Sequence, residues 1–185
     1  MSLRKEVTMK IAIIGYSGSG KSTLARKLAE NYNLPVLHFD RVQFRPNWEI
    51  RPQASKEVMT RVFLDLHEDW VIDGNYSKLS FERRMAEADV VVMLLFNKAS
   101  CLYRVTRRYL TYKNSSRPDM ADGCNEKLDW EFVKWILKDG RTKESKARYQ
   151  SVISRYPNKT IVVKNQRQLN KVQKHIDELL LTASK

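Results

Sequence analysis

Cysteine is scarce in this chain of 185 residues, which contains only Cys101 and Cys124. Two cysteines provide neither a disulfide framework nor a four-ligand zinc site. The three histidines, His38, His67 and His175, do not lie at metal-ligand spacing from one another. The sequence therefore predicts no transition-metal site, and it favours the reducing cytoplasm as the location of the protein.

Long apolar runs are also lacking. The longest, VVVMLLF at 90–96, is far shorter than the roughly 20 residues that span a bilayer, and the polar start MSLRKEVTMK does not resemble a signal peptide. We expect no membrane partner. The length suits one substantial core, so 1–185 is predicted to be a single domain with a polar extension at residues 1–8. The oligomeric state stays open.

Acidic side chains are fewer than basic ones: the chain has 21 aspartates and glutamates and 34 lysines and arginines, which give a net charge of +13. Residues 98–157 alone carry 14 basic and 7 acidic side chains. A basic surface attracts phosphates of any kind, from a nucleotide to duplex DNA. The charge therefore predicts partners that carry phosphate groups, but it does not distinguish a nucleotide from DNA.

A phosphate-binding loop is predicted in IAIIGYSGSGKST at 11–23, which matches G-x-x-x-x-G-K-[ST] between an apolar strand and an amphipathic helix. The glycines let successive N–H groups converge on a polyphosphate, which Lys21 can also reach, and Ser22 offers a hydroxyl to Mg²⁺. The alternative is a glycine-rich turn with an ordinary helix cap. The candidate nucleotide-binding residues are Gly15, Ser17, Gly18, Ser19, Gly20, Lys21, Ser22 and Thr23.

Short apolar runs alternate with amphipathic stretches along the chain. Further strands are predicted at 35–39, 70–73, 88–96 and 159–164. Helices are predicted between them at 53–68, 77–87, 99–112, 127–138 and 142–155. The chain ends in a predicted helix with an apolar stripe formed by Leu169, Val172, Ile176, Leu179 and Leu180. This alternation predicts an α/β fold with a parallel sheet covered on both faces. Ligands bind beyond the carboxyl ends of such strands, so the phosphate-binding loop, Asp40 and Asp73 are expected at one edge.

The two aspartates have different candidate roles. Asp73 closes a buried strand and can hold Mg²⁺, through a water, beside Ser22; the alternative is a turn cap before Gly74. Asp40 could orient or deprotonate an acceptor hydroxyl, or cap the following segment, and the sequence leaves both open.

Residues 98–157 are predicted to form a lid, because a helix, a polar loop and further helices are all rich in arginine. Such a lid can close over a triphosphate and deliver guanidinium groups to the transferring phosphoryl. For any single arginine the alternative is a solvated basic face. The arginines concerned are Arg104, Arg107, Arg108, Arg117, Arg141 and Arg148.

The chain resembles the P-loop kinases related to adenylate kinase and, more closely, the bacterial DNA topology modulation proteins. The resemblance runs from about Met9 to the last helix and is carried by GYSGSGKSTLA, LHFDRVQFRPNW, WVIDGNYS, FERRMAEAD, CLYRVTRRY and RPDMADGCNEKLDWEFVKWILKDGR. It implies a three-layer P-loop NTPase fold of nucleoside-monophosphate-kinase type. The implied sheet has five parallel strands in the order 2-3-1-4-5, with a helical lid between the fourth and fifth strands.

The resemblance also implies site residues. Asp73-Gly74 takes the place of an Asp-Gly pair at the metal and acceptor side, and Arg84 would face the acceptor. Asn75-Tyr76 follows where nucleoside monophosphate kinases continue with Phe-Pro-Arg, which puts a nucleotide acceptor in doubt. The candidate catalytic residues are Lys21, Asp40, Arg104, Arg108 and Arg141, with Arg107 or Arg148 as alternative lid arginines. The candidate acceptor-binding residues are Asp40, Arg41, Arg45, Asp73, Gly74, Asn75 and Arg84, beside Arg51, Phe44 and Trp48.

The sequence thus predicts a phosphotransferase that uses ATP and Mg²⁺ and transfers the γ-phosphoryl group to a small anionic or hydroxylated acceptor. The alternative is an ATP-dependent DNA-binding, topology-modulating protein without kinase activity, although no helix-turn-helix, zinc-finger or RNA-binding signature supports it. A slow hydrolase that acts as a switch is a third hypothesis, and the Asn-Lys-x-Asp pattern of GTPases is absent.

Overall fold

The sheet consists of five parallel strands: β1 (Lys10–Gly15), β2 (Val36–His38), β3 (Trp70–Asp73), β4 (Val90–Leu94) and β5 (Thr160–Val163). A computed structural model describes residues 8–113 and 115–183. The strand order is β2-β3-β1-β4-β5, which confirms the order that the resemblance implied. Residues 1–7 of the predicted extension, Asn114 of the predicted lid and the side chain of Leu180 lie outside what is described.

Helices cover both faces of the sheet. They are α1 (Lys21–Tyr32), α2 (Phe39–Gln43), α3 (Gln53–Leu66), α4 (Phe81–Glu87), α5 (Lys98–Tyr112), α6 (Trp130–Leu137), α7 (Lys143–Arg155), α8 (Gln166–Leu169) and α9 (Val172–Ala183). Single 3₁₀ turns lie at Pro46–Trp48, Asp139–Arg141 and Pro157–Lys159. Helices α5, α6 and α7 stand between β4 and β5, where a lid was predicted.

The central strand β1 shows why three layers form. Successive side chains of a strand point to opposite faces. Ile11 and Ile13 belong to one buried cluster, together with Leu28 of α1. Ala12 and Ile14 belong to a second buried cluster on the other face. A continuous apolar run therefore suits β1, because both of its faces are covered.

The strand register brings the candidate site residues to one edge. Asp73 at the end of β3 pairs with Ile13 of β1 and with His38 at the end of β2. Gly15 pairs with Leu94 of β4. The phosphate-binding loop after β1 and the residues after β2 and β3 consequently share the carboxyl edge of the sheet.

Several predicted boundaries differ from the structure. The strand predicted at 35–39 ends at His38, and Phe39 begins α2, so Asp40 lies in the first turn of a short helix. The helix predicted at 127–138 begins at Trp130, because the side chain of Asp129 caps it. The predicted final helix is divided into α8 and α9. No helix in residues 8–113 and 115–183 has both the length and the apolar character needed to cross a bilayer.

Candidate nucleotide and phosphoryl-transfer site

A large cleft opens at the carboxyl edge of the sheet. It has a volume of about 1310 Å³ and is lined by the loop after β1, the start of α2, the residues after β3, and parts of the segment between β4 and β5. Pockets for one small molecule usually measure 300–1,000 Å³. The cleft therefore has room for more than one small ligand.

The loop between β1 and α1 has the backbone of an anion-binding turn. Gly15, Gly18 and Gly20 all have positive φ angles, of 134°, 75° and 96°. A Cβ atom on Gly15 would lie 2.2 Å from the carbonyl oxygen of Leu94, so a larger residue cannot pass this close to β4. No side chain caps α1 at Gly20, which leaves the first N–H groups of the helix open to an anion.

The predicted nucleotide-binding residues divide into two groups. Gly15 and Ser19 are buried beneath the loop and do not line the cleft. The residues that line it are Ser17, Gly18, Gly20, Lys21, Ser22 and Thr23. The structure thus places six of the eight candidates at the surface of the cleft.

Lys21 contacts the backbone of the loop that precedes it. Its Nζ donates a hydrogen bond to the carbonyl oxygen of Tyr16 at 3.1 Å. Burial lowers the pKa of Lys21, and the negative charges of Asp73 and Asp40 oppose this effect. All three side chains line the cleft.

Asp73 is brought against Ser22, as the sequence predicted. The hydroxyl of Ser22 donates to Asp73 Oδ2 at 2.7 Å, and His38 Nδ1 lies 2.6 Å from Asp73 Oδ1. Burial alone would lower the pKa of His38, but the hydrogen bond and the charge of Asp73 outweigh it and raise that pKa. The hydroxyl and the carboxylate are oxygen donors of the type that Mg²⁺ takes beside phosphate oxygens, so the pair fits this ion.

His38 is a site residue that the sequence analysis missed. Its distance along the chain from Asp73 is 35 residues, and only the pairing of β2 with β3 brings the two together.

Asp40 faces the cleft from the first turn of α2. Its Oδ1 accepts a hydrogen bond from the hydroxyl of Tyr76 at 2.8 Å. Burial raises the pKa of Tyr76, and the charge of Asp40 and this hydrogen bond raise it further. No side chain caps α2. The structure therefore does not show the capping role that the sequence left open for Asp40.

Gly74 and Asn75 connect the end of β3 to the phosphate-binding loop. The side chain of Asn75 accepts from the N–H of Gly15 at 2.9 Å and donates to the carbonyl oxygen of the same residue. Gly74 has a φ of 135°, and a Cβ atom there would lie 2.8 Å from Cβ of Phe39. Both residues line the cleft, and the amide of Asn75 is occupied by the backbone of the loop.

Arg84 does not face the acceptor, which corrects the expectation from the sequence. It lies on the buried side of α4, and its guanidinium group donates to three backbone carbonyls, those of Leu79 at 3.0 Å, Gly74 at 3.2 Å and Tyr76 at 2.9 Å. The group also lies 4.3 Å from the ring centroid of Phe39. Arg84 supports the turn after β3 from below the cleft.

Two further arginines predicted for the acceptor also lie outside the cleft lining. Arg41 is exposed on α2, and Arg45 donates to Glu49 Oε1 at 2.9 Å. The aromatic residues of the same stretch do line the cleft, namely Phe44 and Trp48, whose rings meet edge to face at 5.1 Å.

The arginines of α5 line the cleft. Arg104 donates to the carbonyl oxygen of Ser19 at 3.0 Å, which places its guanidinium group beside the phosphate-binding loop. Arg108 donates to Glu126 Oε1 at 2.8 Å, and burial lowers its pKa. Exposed Arg107 also lines the cleft.

Arg141 and Arg148 have different surroundings. Arg141 donates to the carbonyl oxygens of Ile136 at 2.9 Å and Phe96 at 3.0 Å, and it does not line the cleft. Its predicted catalytic role is therefore not supported by its position, because its donors are used within the fold. Arg148 on α7 lines the cleft and forms no hydrogen bond or ion pair with another described residue.

The predicted lid region contacts both ends of the cleft. Trp135 of α6 donates from Nε1 to the hydroxyl of Ser17 at 3.0 Å. At the other end, the backbone N–H of Trp48 donates to Sγ of Cys124 at 3.3 Å. Neither contact is visible in the sequence, since each joins residues more than 70 positions apart.

Solved structures with a similar fold include known kinases. A shikimate kinase from Acinetobacter baumannii, in complex with shikimate, is 18% identical, with 97% of each chain covered and a TM-score of 0.61. The chain has a P-loop kinase-like fold. A deoxyadenosine kinase from M. mycoides, with dCMP and dCDP bound, is 15% identical over 92% of this chain and 100% of that chain, with a TM-score of 0.52.

An uncharacterized protein from Eubacterium ventriosum is 20% identical over 92% of this chain and 99% of that chain, and its TM-score of 0.49 is too low to carry an argument. No protein-family model matches the chain, and neither does any curated protein. At 18% and 15% identity, the two kinases show a shared fold and nothing finer. They do not support the narrower resemblance to topology modulation proteins.

Proposed function

We propose that this protein is a phosphotransferase that uses ATP and Mg²⁺ and transfers the γ-phosphoryl group to a small acceptor. The observation that carries the proposal is the hydrogen bond from Ser22 to buried Asp73, in a cleft that Lys21 also lines and that has room for two ligands. The two fold neighbours of known activity are both named as kinases, which agrees with this assignment.

The phosphates of ATP would lie against the loop after β1. The free N–H groups at the start of α1 and the ammonium group of Lys21 supply positive charge there. Ser22 and Asp73 would hold Mg²⁺, which when bound neutralises charge on the β- and γ-phosphates.

Guanidinium groups would stabilise the charge of the transferring phosphoryl. Arg104 and Arg108 approach the cleft from α5, and Arg148 approaches from α7. We assign the far-side role to Arg148 instead of Arg141, because Arg148 has unused donors at the cleft while Arg141 donates to backbone carbonyls. Positioned arginines of this kind can contribute about 10³-fold or more to the rate.

The first experiment measures ADP release from Mg-ATP with pooled small acceptors and, separately, with duplex DNA. We expect release that depends on an acceptor and disappears in Lys21→Ala. Arg148→Ala should lower kcat about 10³-fold, whereas Arg155→Ala should leave it unchanged, because Arg155 lies on the same helix and pairs with Glu82 away from the cleft.

Release that ignores every small acceptor and rises only with DNA would overturn the proposal. That result would favour the DNA-binding alternative and the resemblance to topology modulation proteins. Binding of the protein to DNA should then weaken steeply as the salt concentration increases.

A further inference from the structure

His38 is a buried histidine beside the carboxylate that we assign to Mg²⁺. It is the last residue of β2 and pairs in register with Asp73, the last residue of β3. Because paired residues of neighbouring parallel strands point to the same face of a sheet, the two side chains are brought to one place. Only 8% of the His38 side chain and 5% of the Asp73 side chain are exposed. The pair is therefore largely shielded from water.

The ring of His38 donates a hydrogen bond to one oxygen of this carboxylate. Its Nδ1 lies 2.6 Å from Asp73 Oδ1. An ionised carboxylate only accepts hydrogen bonds, so the shared hydrogen belongs to Nδ1 whether or not the second ring nitrogen carries a proton. Hydrogen bonds that involve an ionised group are shorter and stronger than those between neutral groups. The imidazole is thus a firm partner for Oδ1.

The other oxygen of Asp73 is held from a different element. The Ser22 hydroxyl, at the start of α1, donates to Oδ2 at 2.7 Å. Within residues 8–113 and 115–183, no third group donates to this carboxylate. Ser22 lines the cleft and is itself a candidate ligand of Mg²⁺, whereas His38 does not line the cleft. The ring can therefore influence the candidate metal site only through Asp73.

No other basic side chain orients Asp73. In the described part of the chain, no lysine or arginine forms an ion pair with it, and the ammonium group of Lys21 donates to the carbonyl oxygen of Tyr16. The terminal torsion of an aspartate is broad and roughly two-fold, so a carboxylate needs a fixed partner if it is to present one oxygen consistently. His38 supplies that partner from the end of a strand in the sheet.

On the basis of the proposed phosphotransferase function, we propose that His38 is a positioning residue for the Mg²⁺ carboxylate. Its Nδ1–H holds Oδ1 of Asp73, so that Oδ2 stays turned toward Ser22 and the cleft. His38 binds neither the ion nor the nucleotide. Replacement of a group that orients a metal ligand typically weakens metal binding by about 10- to 100-fold.

The experiment titrates Mg²⁺ into the complex of the protein with a non-hydrolysable ATP analogue and measures the dissociation constant of the ion by calorimetry. The protein is in excess, so that the analogue stays bound. We expect His38→Leu, which has a similar size but no donor, to raise this constant about 10- to 100-fold. His38→Asn should restore most of the affinity, because its amide N–H₂ can take the place of Nδ1.

His67→Leu is the matched control. His67 also donates through Nδ1, to the carbonyl oxygen of Phe63 at 2.8 Å, and it lies outside the cleft lining. Its replacement should leave the dissociation constant of Mg²⁺ unchanged. His38→Gln takes the place of His38→Leu if the leucine variant does not fold. The glutamine amide lies one bond farther from the backbone than that of asparagine, so we expect it to weaken Mg²⁺ binding as leucine does.

A double variant tests whether His38 acts through Asp73. Asp73→Ala should weaken Mg²⁺ binding, and the addition of His38→Leu should cause no further loss, because the partner of the ring is already gone. A histidine that only supports the fold would lower the melting temperature in both backgrounds and leave the dissociation constant of Mg²⁺ unchanged.

Three results would overturn the inference: folded His38→Leu binds Mg²⁺ as tightly as the wild type, His38→Asn loses as much affinity as His38→Leu, or the double variant loses more than Asp73→Ala. None of them touches the phosphotransferase function, which acceptor-dependent ADP release tests separately. A wild-type complex that takes up no Mg²⁺ would instead refute the metal assignment in the proposed function together with this inference.

Discussion

Replacement of Arg84 by methionine tests where this side chain lies. Its guanidinium group donates to the carbonyl oxygens of Leu79, Gly74 and Tyr76 and is buried completely. Methionine keeps much of the apolar stem but leaves three buried acceptors without their donor. Hydrogen bonds to charged groups contribute about 1.5–3 kcal/mol each, while removal of the buried charge recovers part of its desolvation cost.

The net loss in unfolding free energy should therefore be about 3–5 kcal/mol, similar to breaking one partner of a buried ionic contact. For a chain of this length the melting temperature should fall by roughly 6–20 °C. The measurement is urea unfolding followed by circular dichroism. The neighbouring variant Arg83→Met is the control, because the side chain of Arg83 is 36% exposed and forms surface ion pairs that contribute about 1 kcal/mol or less.

The opposite pattern would refute the placement of Arg84. If Arg84→Met unfolds at the same urea concentration as the wild type and only raises the KM for the acceptor, the arginine faces the cleft as the resemblance implied. Equal destabilisation by Arg83→Met would also refute the buried placement of Arg84, since the two neighbours are expected to differ only through their burial.

Three further predictions follow from the structure. Gly74→Ala should lower the unfolding free energy by about 1–3 kcal/mol, because of its positive φ and the nearby Phe39; unchanged urea unfolding would contradict this. Burial alone would raise the pKa of Glu87, but hydrogen bonds from an arginine and a lysine outweigh it and lower that pKa. This stabilisation is present above the ordinary pKa and is lost as the pH falls through the lowered value, so Glu87→Gln should reduce the loss of stability in acid denaturation. Trp135→Phe should abolish the change in tryptophan fluorescence on addition of ATP, because the indole donates to Ser17 of the phosphate-binding loop; a change that persists in full would show that another tryptophan reports binding.

The fold was largely predictable from local patterns. Each central strand is a continuous apolar run, and such runs indicate strands that are buried on both faces. The strand order came from the family resemblance, since apolar runs carry no information on which strands are neighbours. The boundary after β2 was missed because PVLHF is apolar up to Phe39, and a run of five residues does not distinguish a strand from the start of a helix.

The candidate site was predictable where it is contiguous in the sequence. The phosphate-binding loop occupies nine consecutive residues, so its motif is visible without the structure. Arg84 and Arg141 were assigned to ligands because a buried arginine and a ligand-binding arginine look alike in a sequence. Their actual partners are backbone carbonyls, which have no residue-type signature. His38 was missed because its contact with Asp73 depends on strand pairing.

The segment between β4 and β5 contributes both to the core and to the lining of the cleft. Its first helix, α5, contributes buried Cys101 and Val105 to the core, so Arg104 approaches the phosphate-binding loop from a packed helix. Its loop contacts a second part of the cleft lining, since the backbone N–H of Trp48 donates to Sγ of Cys124. The same segment thus contacts both the phosphate-binding loop and the residues around Trp48. A ligand bound at either place would meet residues whose positions also shape the other place, which would give a physical route for two ligands to influence each other's binding.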